Sequence, residues 1–293
     1  MLGIPSAEIE IDALLVLQLL AEQHPDLQHL SIQFVGAGWD NAMFRLGDRL
    51  AVRLPRRAIA ATLLEKEQCW LPQLAKQLPI PVPVPYRIGV PNSVYPWYWS
   101  IIPWFPGQTA DKIRLNENHA QQFARFLKAL HVAAPDNAPK NPFRGVPLIQ
   151  RVTMLKERMQ RIETQTKLIT PTLRSLWQKA VDAPIDLEPT WIHGDLHPRN
   201  ILVNKSDVVG VIDWGDLAAG DHATDLAAFW CLFPEQPLRQ LAIETYGEVS
   251  EATLARAKGW AILFGVVLLD SGLVEDTQQA AIGQQILQCV VQS

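Results

Sequence analysis

Asp195 stands in His193-Gly194-Asp195-Leu196, Asn200 follows it, and Asp213 comes next in Asp213-Trp214-Gly215. Side chains of these types in this order suit one kind of chemistry. A carboxylate can orient a hydroxyl and take its proton, while a carboxamide and a second carboxylate are hard oxygen donors of the sort magnesium prefers. Moving a phosphoryl group from a nucleotide to an alcohol calls for all three, because the transferred group is heavily charged and the attacking hydroxyl must be positioned.

Elements able to position them can be read around the three residues. Trp191-Ile192-His193 reads as a short strand entering a loop. Ile201-Leu202-Val203-Asn204 and Val208-Val209-Gly210-Val211-Ile212 are β-rich runs on either side of Lys205-Ser206-Asp207, the composition of a hairpin turn. Such a hairpin delivers Asn200 and Asp213 to one end. The protein-kinase pattern His-Arg-Asp-Leu, three residues, Asn, then Asp-Phe-Gly is matched here with Gly194 in place of the arginine and Trp214 in place of the phenylalanine. No Ala-Pro-Glu follows before the next helix, so control by a phosphorylated activation loop and protein substrates are not expected.

His193-Gly194-Asp195-Leu196-His197-Pro198-Arg199-Asn200, Ile212-Asp213-Trp214-Gly215-Asp216 and Gly220-Asp221-His222-Ala223-Thr224-Asp225-Leu226-Ala227 together resemble the aminoglycoside phosphotransferase family of antibiotic kinases, of which the macrolide-phosphorylating enzymes are a related branch. The resemblance is specific over residues 191–229 and looser over 31–107. It implies an α+β, two-lobed, protein-kinase-like fold: a small antiparallel-sheet lobe over 1–104, a larger and mostly helical lobe over 105–293, and a hinge at about 103–107. The activity it implies is transfer of the γ-phosphate of ATP or GTP to a hydroxyl, with Mg2+ as cofactor. By the same resemblance Asp195 is the catalytic base and Asn200 and Asp213 are the metal ligands. His193 supports the loop, and Asp225 braces it. His197 either faces phosphate or packs the loop, and Asp221 suits a helix N-cap.

Upstream residues fit a nucleotide site. Gly36 and Gly38, in Gly36-Ala37-Gly38-Trp39-Asp40-Asn41, lie between two expected strands where a flexible turn would cover phosphates; Asn41 stands where a third glycine would be. Arg53 occupies the place of the kinase lysine that holds the α- and β-phosphates. An arginine keeps the charge but has a different reach. Glu67 on the following helix is the candidate partner of Arg53, with Glu65 its competitor. Ser100 to Gly107 reads as an inner strand entering a linker, with Ile102 and Trp104, and Phe105 beside them, as walls for a purine ring.

Around these residues the periodicity predicts a helix over 8–23, strands near 31–36, 41–47 and 49–54, a helix over 58–78, and extended segments near 85–90 and 97–104. Helices are then expected over 117–132, 147–165, 171–181, 221–232, 236–246, 251–270 and 276–290. With 293 residues, 48% of them hydrophobic, the chain can bury a large core. Its 26 Lys and Arg against 30 Asp and Glu give a net charge of −4 with no basic tail, which argues against nucleic acid. Met1 to Ile11 lacks a leader pattern and Trp260 to Leu269 is too short to span a bilayer, so a cytoplasmic protein without a membrane partner is expected. Cys69, Cys231 and Cys289 are widely spaced, which suits a reducing compartment and buried roles.

The partners expected are a nucleoside triphosphate and a small-molecule acceptor, with no obligate protein partner. Asp216, Glu235, Asp270, Glu275 and Asp276 are candidates to meet the ammonium groups of an aminoglycoside-like acceptor, the first choice on resemblance. Trp177, Phe229, Trp230, Phe233, Trp260 and Phe264 are candidates to line a macrolide site, and the run Arg53-Leu54-Pro55-Arg56-Arg57 is similar to that branch. A metabolite such as an amino alcohol or sugar comes third. A nucleotide-binding pseudokinase is the alternative of another class.

Overall fold

A computed structural model of the protein describes residues 5–292; the first four residues of the Met1 to Ile11 stretch and the Glu275 side chain lie outside the described residues. The chain divides into two compact units. One takes the described residues up to Lys76 together with Pro81–Pro106, and the other takes Gln77–Ile80 and everything from Gly107 onward.

The smaller unit contains α1 (Ala13–Gln23), β1 (Ile32–Ala37), β2 (Asn41–Leu46), β3 (Leu50–Pro55), α2 (Ala58–Leu74), β4 (Arg87–Gly89) and β5 (Trp99–Pro103). Its five strands form one antiparallel sheet in the order β1-β2-β3-β5-β4. Side chains alternate across a strand, so Ala42, Phe44 and Leu46 of β2 all point inward, where they meet Val52, Leu54, Trp99 and Ile101 and the Val16, Leu19 and Leu20 face of α1.

α1 starts at Ala13 rather than near Glu8. Asp12 is extended and its carboxylate accepts the Leu15 amide at 2.8 Å, the geometry of an N-cap. Glu8 is used elsewhere: its carboxylate accepts the Ala58 amide at 3.0 Å, at the start of α2. α2 in turn stops at Leu74 instead of reaching Leu78, with Pro72, which has no N–H to donate, in its last turn.

The larger unit begins with β6 (Gln108–Thr109) and α3 (Glu117–Leu130), followed by α4 (Val152–Glu163), α5 (Pro171–Asp182), β7 (Thr190–Ile192), β8 (Ile201–Val203), β9 (Val208–Val211) and β10 (Ala218–Gly220). It closes with α6 (Ala223–Leu226), α7 (Ala228–Leu232), α8 (Gln236–Tyr246), α9 (Glu251–Glu275) and α10 (Thr277–Val291). The expected hairpin is β8-β9, with β6 added to its edge, while β7 pairs with β10. The helix expected over 221–232 is two short helices meeting at Ala227, and α4 is preceded by a 3-10 turn over Leu148–Arg151.

α9 is the axis of this unit, packed against α4, α5, α6, α7 and α10. Its apolar stretch is longer than the Trp260 to Leu269 run suggests. Glu251–Val274 holds an 18-residue window with a mean hydropathy of 1.6 and would be long enough to cross a membrane by length and composition, but 67% of that window is buried inside the fold. Its contact with α10 is so close that a Cβ on Gly283 would collide with Leu269 N and stand 2.6 Å from the Gly265 carbonyl oxygen. Trp177, Phe229, Trp230, Phe233, Trp260 and Phe264 are all buried; Phe229 and Phe233 join Phe123 and Phe126 in one aromatic cluster, and Trp260 lies against Phe264.

Candidate active site

The loop between β7 and β8 carries His193, Asp195 and Asn200, and the end of β9 carries Asp213. A backbone hydrogen bond from Ile212 N to Asn200 O at 2.9 Å ties the two segments together. Asp213 itself has φ 65° and ψ 68°, the one non-glycine residue with positive φ among the described residues. Strained backbone of this kind costs about 1–3 kcal/mol and is kept where surrounding contacts enforce it.

His193 is fully buried and acts as a rivet. Its Nδ1 accepts the Asp195 amide at 3.2 Å, which leaves the proton on Nε2, 3.0 Å from the Ile212 carbonyl, and its ring lies against Trp214. The same ring therefore holds the loop that presents Asp195 and the turn that presents Asp213. Asp225 of α6 grips from the other side: its two oxygens accept the His193 amide at 2.7 Å and the Gly194 amide at 2.8 Å. Gly194 has φ +88°, and a Cβ there would stand 3.0 Å from Asp216 O, so this place takes glycine for backbone reasons.

Asp195 is held at its side chain by Arg144, whose Nη2 donates to Oδ1 at 2.7 Å, and by His197, whose Nε2 is 3.6 Å from Oδ2. Burial opposes ionisation of Asp195, but Arg144, His197, His193 and Asn200 outweigh it and hold the carboxyl below the usual carboxylate range. Burial also dominates at His197, whose pKa is lowered despite Asp195 and Asp213 nearby; its Nδ1 accepts the Arg199 amide, which packs the loop. Asn200 directs its amide nitrogen to the Asp195 carbonyl at 2.9 Å, which keeps its oxygen out of that bond. That oxygen and the Asp213 carboxylate are hard-oxygen donors of the kind a magnesium ion takes beside water and phosphate. Among the described residues no three His, Cys, Asp or Glu side chains gather as a metal cage.

Arg144 is the site residue that the sequence reading misses. It comes from the long connection between α3 and α4, where Asn141 forms a local turn by accepting the Phe143 and Arg144 amides. The signal available was the length of that connection, residues 131–147, since a long ordered loop in a compact fold is usually functional.

The expected acidic residues are engaged with cations. Asp216 pairs with Arg144 at 3.2 Å and accepts from Asn141 at 2.7 Å; Asp270 is buried between Arg158 at 2.8 Å and Arg161 at 2.6 Å. Asp276 pairs with Arg199 and caps α10 through Gln279 N, and Glu235 lies 3.3 Å from Arg114. Glu275 is outside the described side chains. Asp221 is not the N-cap of α6, a place taken by His222, but from just ahead of it its side chain accepts the Ala223 amide and holds the buried Arg256.

In the smaller unit, Arg53 is buried and its Nη1 donates to both oxygens of fully buried Glu67, at 2.7 and 2.6 Å, while Glu65 is exposed. With its amide oriented to satisfy both ends, Asn41 accepts from Arg53 Nε and Nη2 at 3.1 Å each. Gly36 and Gly38 follow a bulge in β1; the space a Cβ would fill on Gly36 is open, and Gly38 is fixed through Asn41 O and the Arg56 side chain. Ile102 is buried in β5, and half-buried Trp104 lies under the Arg45 guanidinium at 4.9 Å.

Known proteins resemble this chain in sequence and in fold. An aminoglycoside 3'-phosphotransferase of Salmonella typhimurium is 24% identical over 179 residues, 58% of this chain and 64% of that protein. The matches span less than two thirds of the length of the curated relatives. Among solved structures, a GDP complex of aminoglycoside 2'-phosphotransferase-IIIa has a TM-score of 0.71 at 22% identity, covering 96% of this chain and 99% of that one. The macrolide 2'-phosphotransferase of Brachybacterium faecium has a TM-score of 0.63 at 19% identity, covering 93% and 96%. These likenesses establish a mixed α and β fold, a sheet-rich N-terminal part before a helical C-terminal part, common to phosphotransferases. The sequence profile described as the Phosphotransferase enzyme family matches residues 31–260, from the first strand to the middle of α9, and so takes in Arg53, Asp195, Asn200 and Asp213 alike: the chain belongs to that family.

Proposed function

We propose that the chain is a small-molecule kinase, passing the γ-phosphate of ATP or GTP to a hydroxyl of its acceptor. The observation that carries this reading is Asp195, an ionised and firmly oriented carboxylate joined through His193 to the turn that presents Asp213. Asp195 takes the hydroxyl proton as the new bond to phosphorus forms. Asn200 and Asp213 are the residues that would hold magnesium, which when bound neutralises and orients phosphate oxygens. Arg53, braced by Glu67, supplies charge to the nucleotide, with Gly36, Gly38, Ile102 and Trp104 as further nucleotide contacts. The reading assigns nucleotide binding to residues 1–104 and catalysis with acceptor binding to 105–293, and a cytoplasmic setting where nucleotides are plentiful.

An aminoglycoside-like antibiotic is the first acceptor on kinship. A metabolite, such as an amino alcohol or a sugar, is the second reading, and one observation favours it: Asp216, Asp270, Asp276 and Glu235 are each already paired with arginine. The macrolide set loses ground because its aromatic residues are core.

Magnesium-dependent turnover of ATP and GTP, measured with and without panels of aminoglycosides, macrolides, amino alcohols and sugars, tests the proposal. Acceptor-stimulated turnover should fall by about 10²- to 10⁴-fold in Asp195→Ala with nucleotide binding retained. Unaltered turnover in that variant removes Asp195 from its role, and tight nucleotide binding with no turnover on any panel favours the pseudokinase.

A further inference from the structure

Arg151 closes the 3-10 turn that leads into α4, and its guanidinium lies 5.2 Å from the Phe143 ring centroid. Its Nε is buried and makes no hydrogen bond, and no carboxylate pairs with it among the described residues. The charges that act on it are those of Arg144 and Arg158. Burial first, and these two cations next, push its pKa down. A half-buried arginine in that state is unusual, since buried charges are ordinarily paired. Its neighbours obey the rule: Arg144 is paired with Asp195 and Asp216, and Arg158 and Arg161 share Asp270.

The location gives this its meaning. Arg144 is the residue that binds Asp195, and it is also one of the two cations whose charge acts on Arg151. Phe143, on which it stacks, is 57% exposed, so this surface is open to a ligand. Asp195, Asp216 and Asp225 act on Arg144, and Asp270 and Glu157 on Arg161, but only cations act on Arg151, so an anion would supply what this guanidinium lacks whereas a polycationic acceptor would not.

We propose that the acceptor carries an anionic group, a carboxylate or a phosphate, near the hydroxyl it offers, and that Arg151 receives that group. The inference rests on the kinase reading above and names its substrate class. A planar guanidinium binds either anion through charge-assisted hydrogen bonds, and the orphaned Nε shows that protein groups do not satisfy it. In the transfer, the acceptor oxygen bonds to the γ-phosphorus, its proton goes to Asp195, and the bond from the γ-phosphorus to the bridging oxygen breaks to release the nucleoside diphosphate. The anionic group stays unchanged and fixes orientation.

Matched acceptors test it: serine against serinamide, homoserine against its amide, gluconate and glucose 6-phosphate against glucose, with an aminoglycoside alongside. The acidic member of a pair should support magnesium-dependent turnover at least about tenfold better in kcat/KM. Arg151→Gln should raise KM for that member by about 10- to 100-fold more than for its uncharged counterpart, and Arg151→Lys should recover part of the loss. The carboxylate and phosphate arms distinguish the two anions. As a binding measurement free of acceptor choice, inorganic phosphate or citrate should raise the Tm of wild type saturated with ADP and magnesium, and not that of Arg151→Gln. Turnover won by the aminoglycoside or by uncharged members and unmoved by Arg151→Gln overturns the proposal, as does a wild type indifferent to both anions. Failure of the kinase reading looks different, since nucleotide binding would then be absent or indifferent to Asp213→Ala.

Discussion

Asp195 is gripped by side chains whose charges set its acidity as well as its direction. Arg144 is the largest of the groups that favour its ionised form, so Arg144→Gln should raise its pKa and move the acidic limb of the kcat/KM profile to higher pH, with the alkaline limb in place. A pH–rate series on the two proteins checks this; coincident acidic limbs would dissociate Arg144 from the base. Arg53 belongs to the same scale. Arg53→Ala leaves fully buried Glu67 without its cation, and the expected loss is about 3–5 kcal/mol of unfolding free energy, read by denaturant titration. Asp195, Asn200 and Asp213 were legible because one loop and one hairpin carry all three, so short-range spacing reports their meeting. The Arg53 and Glu67 pair was legible for a similar reason, a strand followed at once by a helix. Arg144 was silent because nothing local connects it to Asp195, and Asp216 was read as an acceptor contact when its partner is that same arginine.

At the scale of elements, most helices announced themselves through periodicity, and their ends did not. α1 differs from the sequence reading at its start because a distant group competes for Glu8, which binds the first amide of α2 in place of extending α1, and α2 differs at its end, where Pro72 stands in the last turn. β6 and β10 are too short to carry a pattern, and their partners are remote in sequence. The α9 and α10 contact was equally unreadable, since a glycine in a helix looks like a weak spot and here allows close approach. Gly283→Ala should therefore destabilise by about 1–3 kcal/mol through backbone collision, although alanine is by about 1 kcal/mol the better helix former. A stabilised Gly283→Ala protein in thermal melts would refute that close approach.

For the whole molecule, composition indicated a large core and an acidic chain, and the structure adds how its stability should respond to pH. His222 is buried beside His131, its Nδ1 has no hydrogen-bond partner, and burial followed by His131 lowers its pKa from 6.5 to about 4. Between those values the unfolded chain takes up a proton that the folded chain refuses, so stability rises with pH across the window. The contribution is complete above pH 6.5 and is lost as pH falls toward 4, roughly 3 kcal/mol in all. Urea midpoints measured from pH 4.5 to 7.5 should show this slope, and His222→Asn should flatten it; parallel slopes would assign the effect to other groups. The axial helix α9 has a last consequence. A segment apolar enough for a lipid bilayer is harmless only while its neighbours cover it, and α10 is the neighbour synthesised after it. Lesions in α10 should therefore reveal themselves in living cells as inclusion bodies and chaperone dependence, before any surviving enzyme shows a defect in turnover.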